Sequence, residues 1–245
     1  LAKPEQVAVS ADLTRFAATS QAGTRLQVAQ SGVDKPKTLR TGTGLLRPIF
    51  ARNGELWSPA TAGLSALQVF KDDQRQRVTI DAPGKLKSLS GLPLVALSLS
   101  PDGSRVAMIV RVRGGTLLGL ARVQRGTDGS VQIAGWRSID IASNTGSSGR
   151  GLDVGWVSET GLMVLQTSAG GGTSDSQTSS IVNVSEDGAT ATDIGPSEAV
   201  ALTGLAVVPG RQAVALSAAG SVYRFDGEFN WLATVTAVEA VAYSG

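Results

Sequence analysis

The chain contains no cysteine and no histidine. Without them, no thiol nucleophile, Ser-His-Asp triad, histidine-based acid/base step or standard zinc site can be assembled from these residues. Carboxylate chemistry, a Ser-Lys arrangement or an oxygen-ligated ion such as calcium remain open. The lack of disulfides leaves the redox compartment unread. Aromatic residues make up only 4% and methionine occurs twice, so the core is expected to consist of small and aliphatic side chains. No run approaches the roughly 18 uninterrupted apolar residues of a spanning helix. The sequence begins at Leu1 without an initiator Met, a charged leader or an apolar signal core, and it reads as a mature fragment or an excised domain. An excess of charge of one sign is also missing: 22 basic and 20 acidic groups leave a net +2. The four Trp and two Tyr are not interleaved with Lys and Arg, so nucleic acid is not an expected partner.

What is present is a chain of 245 residues, 42% hydrophobic, enough for one large all-β domain or two small ones. Helical periodicity is scarce, and short apolar runs bounded by Gly, Pro, Asp, Asn and Ser recur throughout. Five of these runs pair into hairpins: "VAVSADLTRFAAT" with Asp12 in its turn, "IFARNGELWSP" with Asn53-Gly54, "LSLSPDGSRVAMIV" with Asp102-Gly103, "DVGWVSETGLMVLQT" with Thr160-Gly161, and "LAVVPGRQAVALS" with Pro209-Gly210. Turn positions 12, 53, 102, 160 and 209 lie 41, 49, 58 and 49 residues apart, the spacing of four-stranded propeller blades. A third strand follows each hairpin, at 24–30, 64–71, 116–125, 179–185 and 220–227, and a weaker fourth follows, as in "VQIAGWRSIDIA" and "FNWLATVT". The expected fold is therefore all-β, a single propeller of five blades with four antiparallel strands each. Its repeats run approximately over 1–44, 45–90, 91–143, 144–196 and 197–245. A two-sheet sandwich with turns every 8 to 12 residues is the competing architecture.

Most polar candidates have a plain structural explanation. Asp102 and Gly103 fit a tight turn in which the carboxylate accepts backbone hydrogen bonds. "SAGGGTSDSQTSS" lacks the Lys-Ser/Thr ending and following helix of a phosphate-binding loop. Asp175 within it, and Glu186 and Asp187 in "VSEDG", are too few carboxylates for calcium. The segments 143–151 and 167–180 read as mobile loops by composition, while "KDDQRQRV" reads as an ordinary connection. Trp57, Trp136, Trp156 and Trp231 fall in or beside strands of four repeats and are expected in the core between blades. Asp153, just before "VGWVS", is the main acid expected on an innermost strand, and one carboxylate is not the pair a glycan hydrolase uses. If Gly114-Gly115 forms a two-residue turn, Arg113 lies opposite Thr116 and Arg111 opposite Leu118. Arg105, Arg111 and Arg113 then share a face and form a basic ridge for an acidic partner, or cover apolar neighbours with their stems. Arg150, in the long loop before the fourth hairpin, is the exposed charge placed best for partner contact.

"VALSLSPDGSRVAMIV", "GGTLLGLARVQR" and "GWRSIDIA", together with "LLRPIFARNGELWSP" and "WLATVTAVEAVAYSG", resemble the propeller region of the actinobacterial LpqB lipoprotein family over nearly the whole chain. The resemblance implies an extracytoplasmic protein held at the cell membrane by an N-terminal lipidated Cys outside these residues. It also implies work beside the sensor kinase MtrB of the MtrAB two-component system, with the kinase's extracellular sensor domain as partner. It transfers no catalytic residue, no cofactor and no metal. The expected function is a non-enzymatic protein-interaction module of the cell envelope, with Arg150, Arg111 and Arg113 as partner-binding residues. A small-ligand-sensing propeller and a carboxylate-based glycan hydrolase or lyase are the alternatives.

Overall fold

The computed structural model describes residues 4–33, 35–81, 91–139, 150–167, 179–188, 190–195, 201–208, 212–225 and 231–235. Its strands form five antiparallel meanders. Blade 1 is β1 (Pro4–Val9), β2 (Arg15–Ser20), β3 (Arg25–Gln30) and β4 (Lys37–Thr41). Blade 2 is β5 (Ile49–Phe50), β6 (Leu56–Ser58), β7 (Gln68–Lys71) and β8 (Gln74–Gln76), followed by a short β9 (Val78–Ile80). Blade 3 is β10 (Leu94–Leu99), β11 (Arg105–Val112), β12 (Gly115–Arg125) and β13 (Val131–Ile139). Blade 4 is β14 (Gly151–Trp156), β15 (Gly161–Thr167), β16 (Ser179–Ser185) and β17 (Ala191–Asp193). Blade 5 is β18 (Leu202–Val208), β19 (Gln212–Ser217), β20 (Val222–Phe225) and β21 (Trp231–Val235). The arrangement is the expected five-bladed propeller. Helix among the described residues is limited to single 3₁₀ turns at Gln21–Gly23 and Leu64–Ala66, the latter replacing the start of the strand expected over 64–71.

The recurrent turn explains the hairpins. Ser10 Oγ donates to Asp12 (2.6 Å) and accepts from the Arg15 N–H (2.9 Å), while Asp12 accepts the Thr14 N–H (3.1 Å) and hydroxyl (2.8 Å). Ser100, Asp102, Ser104 and Arg105 repeat the same four bonds in blade 3. These bonds hold Asp12, through Ser10 first and then Thr14, at a pKa of about 2. Asp102 also falls to about 2, because its bonds to Ser100 and Ser104 outweigh the upward push of burial. The third turn residue needs positive φ, which Gly103 supplies at +69°, whereas blade 1 places Leu13 there at +59°, 62% exposed. The turn expected at Pro209-Gly210 lies outside the described residues.

Strand alternation assigns each blade's two faces to its two neighbours. On β11, Val106, Met108 and Val110 pack toward blade 2 with Trp57, Leu64 and Val69. The intervening Ala107 and Ile109 pack toward blade 4 with Val154, Trp156 and Leu162. Similar clusters join blade 1 to blade 2 and blade 4 to blade 5. Trp57, Trp136 and Trp156 are buried, as expected of residues between blades. Trp231 is half-buried and donates its indole N–H to the Ile194 carbonyl (2.6 Å).

Two elements depart from the sequence expectation. "KDDQRQRV" is more than a connection: Gln74–Gln76 within it form β8, the outer strand of blade 2, and its last residue opens β9, which adds to the outer edge of blade 3 as a fifth strand, parallel to β13, with Val78 opposite Val131 and Ile80 opposite Ile133. The three-residue run "VTI" is too short to show a period, yet Val78 and Ile80 gain burial against the core between blades 2 and 3. The linker therefore ties one blade to the next before the chain returns to the axis.

Candidate functional site

The five innermost strands begin at one rim of the propeller, termed upper, and end at the other, termed lower. On the axis, Val7, Ile49, Leu97, Val154 and Leu205 help line a cavity of about 60 Å³, enough for a few waters. Near its upper end the Arg47 guanidinium crosses from blade 2 to blade 4 and grips Asp153 with two bonds (3.0 and 2.8 Å). The same guanidinium donates to the Leu205 carbonyl of blade 5 (2.7 Å). Asp153 also accepts the N–H groups of Leu205 (3.0 Å) and Val154 (2.9 Å). Four donors thus occupy the two oxygens of Asp153, which acts as a clasp among three blades. This answers the question its position raised, and its partner lies 106 residues away, where no sequence pattern links the two.

The lower rim holds most of the described carboxylates, and its arginines meet them across seams. Arg15 binds Asp73 of blade 2 (2.7 Å) and lies over the Phe50 ring at 5.5 Å. Arg105 repeats that arrangement one seam further: it binds Glu186 and Glu159 of blade 4 and lies over the Trp156 ring at 5.6 Å. Arg125 of blade 3 forks onto Glu55 of blade 2 (2.8 and 3.0 Å), which also accepts the Trp57 indole N–H (3.1 Å). Burial pushes the Glu55 pKa up, but the Arg125 and Trp57 bonds outweigh it and hold the carboxyl below its usual range.

The upper rim differs. Gly114 alone has positive φ in the β11–β12 turn (+89°), so it takes the second turn position with Arg113 before it. The turn accordingly lies one residue earlier than expected and the pairing shifts by two: Arg111 lies opposite Thr116 rather than Leu118, and Val112 opposite Gly115. Arg113 sits in the turn rather than opposite Thr116. The expected basic ridge is also divided, because Arg105 at the lower end is taken up by Glu186 and Glu159. Arg111 and Arg150 remain on one surface: both line an open recess of about 510 Å³ between blades 3 and 4, with Val95, Val112, Thr116 and Leu152. Arg150 is not at a free loop tip, since its backbone exchanges bonds with Thr167, whose N–H donates to the Arg150 carbonyl (2.9 Å) and whose Oγ1 accepts the Arg150 N–H (3.1 Å). Among the described residues, the guanidinium groups of Arg111, Arg113 and Arg150 meet no hydrogen-bond or ion-pair partner. Most of the segments 143–151 and 167–180, including Asp175, lies outside the described residues.

Among the described residues no three Asp or Glu side chains are grouped to hold a metal ion, and no helix is long and apolar enough to cross a membrane. Residues 1–241 match the sequence profile of the family described as the lipoprotein LpqB beta-propeller domain. The chain is 27% identical over 217 residues to Lipoprotein LpqB of Cutibacterium acnes, covering 87% of this chain and 34% of that protein, so it spans about a third of that relative's length. Among solved structures, the Kuenenia stuttgartiensis hydrazine synthase matches with a TM-score of 0.65 at 14% identity, over 91% of this chain and 64% of that one. TolB from Acinetobacter baumannii matches with a TM-score of 0.62 at 13% identity, over 95% and 55% of the two chains. At these identities the two structures share the fold alone. The profile match over almost all of the chain and the curated relative together place this propeller in the LpqB lipoprotein β-propeller family.

Proposed function

We propose that this propeller is a non-enzymatic, extracytoplasmic binding module of a cell-envelope lipoprotein, and that its partner is the extracellular sensor domain of a histidine kinase, MtrB of the MtrAB system. The observation that carries this reading is the upper rim, where Arg111 and Arg150 border an open recess with no carboxylate among its described lining residues. Arginine placed where no intramolecular acid meets it is suited to an acidic surface of another protein. The kinase's identity rests on the family resemblance. Membrane attachment belongs, in this reading, to a lipid anchor elsewhere in the full-length lipoprotein.

The two alternatives find less support. A carboxylate-based hydrolase needs an acid and a second carboxylate flanking a bond. Among the described residues the lining of the axial cavity has neither, and Asp153 beside it accepts four hydrogen bonds. A central ligand would need a pocket of some 300 Å³ or more, and the axial space is about 60 Å³. The test is a pull-down and titration with the purified sensor domain. Saturable binding by the wild type, weakened in Arg150→Glu with an unchanged melting temperature, supports the reading. Absence of binding to the sensor domain contradicts it.

A further inference from the structure

The blade 3–blade 4 seam places two arginines in one recess with no carboxylate among its described lining residues. Each guanidinium carries five N–H donors, and the described lining supplies no carboxylate to either. Both are held in place by backbone: Arg111 by its ladder position opposite Thr116, Arg150 by its paired bonds to Thr167. The described lining also includes the half-buried Val95, Val112 and Leu152: Val95 packs on the core between blades 3 and 4, Val112 stands on the face of β11 turned to blade 2, and Leu152 packs on the core between blades 4 and 5. At the mouth, Gly114 and Gly115 have open space where a side chain would stand, so another backbone can approach closely.

We propose that this recess is a binding site for an acidic peptide segment, with a carboxylate bound by Arg111 and Arg150 and an adjoining aliphatic side chain against Val95. Guanidinium forks match carboxylate and phosphate oxygens alike, and the apolar part of the lining distinguishes the two. A bare phosphate leaves the apolar surface wet, and a planar lipid surface meets protruding groups rather than a recess. A Glu-Val-Glu type of segment satisfies both parts. The proposal rests on the reading of the upper rim as the partner surface, and it assigns the chemistry of the element that docks there.

The test is a calorimetric titration at low salt with the capped tripeptide Ac-Glu-Val-Glu-NH₂ and its uncharged counterpart Ac-Gln-Val-Gln-NH₂. Wild type, Arg111→Gln, Arg150→Gln and Arg113→Gln are compared, with circular dichroism as the folding control. The expected result is saturable binding of the Glu peptide only, weakened about tenfold by each recess variant and within about twofold of wild type in Arg113→Gln, which removes the same charge outside the recess. The proposal is overturned by the absence of saturable binding, by recess variants that bind as wild type does, or by equal weakening in Arg113→Gln. It is also overturned if inorganic phosphate or phosphatidylglycerol vesicles bind more tightly than the peptide with the same dependence on Arg111 and Arg150. Titrating the sensor domain against the same variants separates the two readings. Sensor binding without peptide binding removes the recess site and leaves the partner reading standing. Peptide binding without sensor binding does the reverse.

Discussion

Arg105 and Arg111 stand on the same face of the same strand, six positions and about 20 Å apart, and both point into the seam between blades 3 and 4. At the lower end Arg105 meets Glu186, Glu159 and the Trp156 ring, all supplied by blade 4. At the upper end Arg111 meets a recess to which the described residues of blade 4 bring Arg150 and no acid. One end of the seam uses arginine to join blades. The other end presents arginine to the outside. The lesson is that arginine count along the strand says nothing of role, and that the neighbouring blade decides it.

The largest effect that bears on this contrast is at the axis. Arg47→Ala leaves Asp153 buried without its cation, and thermal unfolding should show a loss of about 2–4 kcal/mol, reduced from the fully buried case because Arg47 is partly exposed. An unchanged melting temperature would show that the clasp does not hold the blades. Next, Arg105→Ala removes two ion pairs and a ring contact at the lower seam, and denaturant titration should show a loss of about 1–2 kcal/mol. Leu13→Gly gives the blade 1 turn the residue that blade 3 already has and should stabilise by about 0.5–1 kcal/mol, as positive φ is relieved at a cost in chain entropy. Destabilisation at this site would mean that Leu13 makes a contribution its 62% exposure conceals.

The acid limb sharpens the same comparison. Asp102 has a folded pKa of about 2 against an ordinary 3.8, so its contribution is complete above pH 4 or so and is lost as pH falls toward about 2. Asp102→Asn should flatten the fall in melting temperature over that window, whereas Arg111→Gln, with no acid beside it, should leave the acid limb unchanged. A wild-type acid limb in Asp102→Asn would show that the turn is already broken by other means at pH 4.

Much of the fold was legible because its signal is local. Turn chemistry at Asp12, Asn53-Gly54, Asp102-Gly103 and Thr160-Gly161 spans a few residues, and its spacing counts blades. The contacts that join blades are not local. Arg47 meets Asp153 across 106 positions and Arg125 meets Glu55 across 70, so neither pair has a sequence pattern to find. The pairing at Arg111 was missed by two positions because two adjacent glycines, Gly114 and Gly115, can both be drawn into the turn, and only the backbone shows that one of them is. β9 was missed because three residues carry no period. Arg111 was singled out by the period of two along its strand and Arg150 by loop placement, while their sharing of one recess depends on the packing of blade 3 against blade 4.

The central claim is a division of labour between the two ends of one seam, and one paired measurement tests it most directly: affinity for the kinase sensor domain and thermal unfolding, on Arg150→Glu and on Arg105→Glu. The account predicts that Arg150→Glu weakens binding about tenfold and changes stability by less than about 0.5 kcal/mol. Arg105→Glu should lower stability by at least about 1 kcal/mol and leave the affinity of the folded protein as it was. Loss of binding in Arg105→Glu with full binding in Arg150→Glu would contradict it.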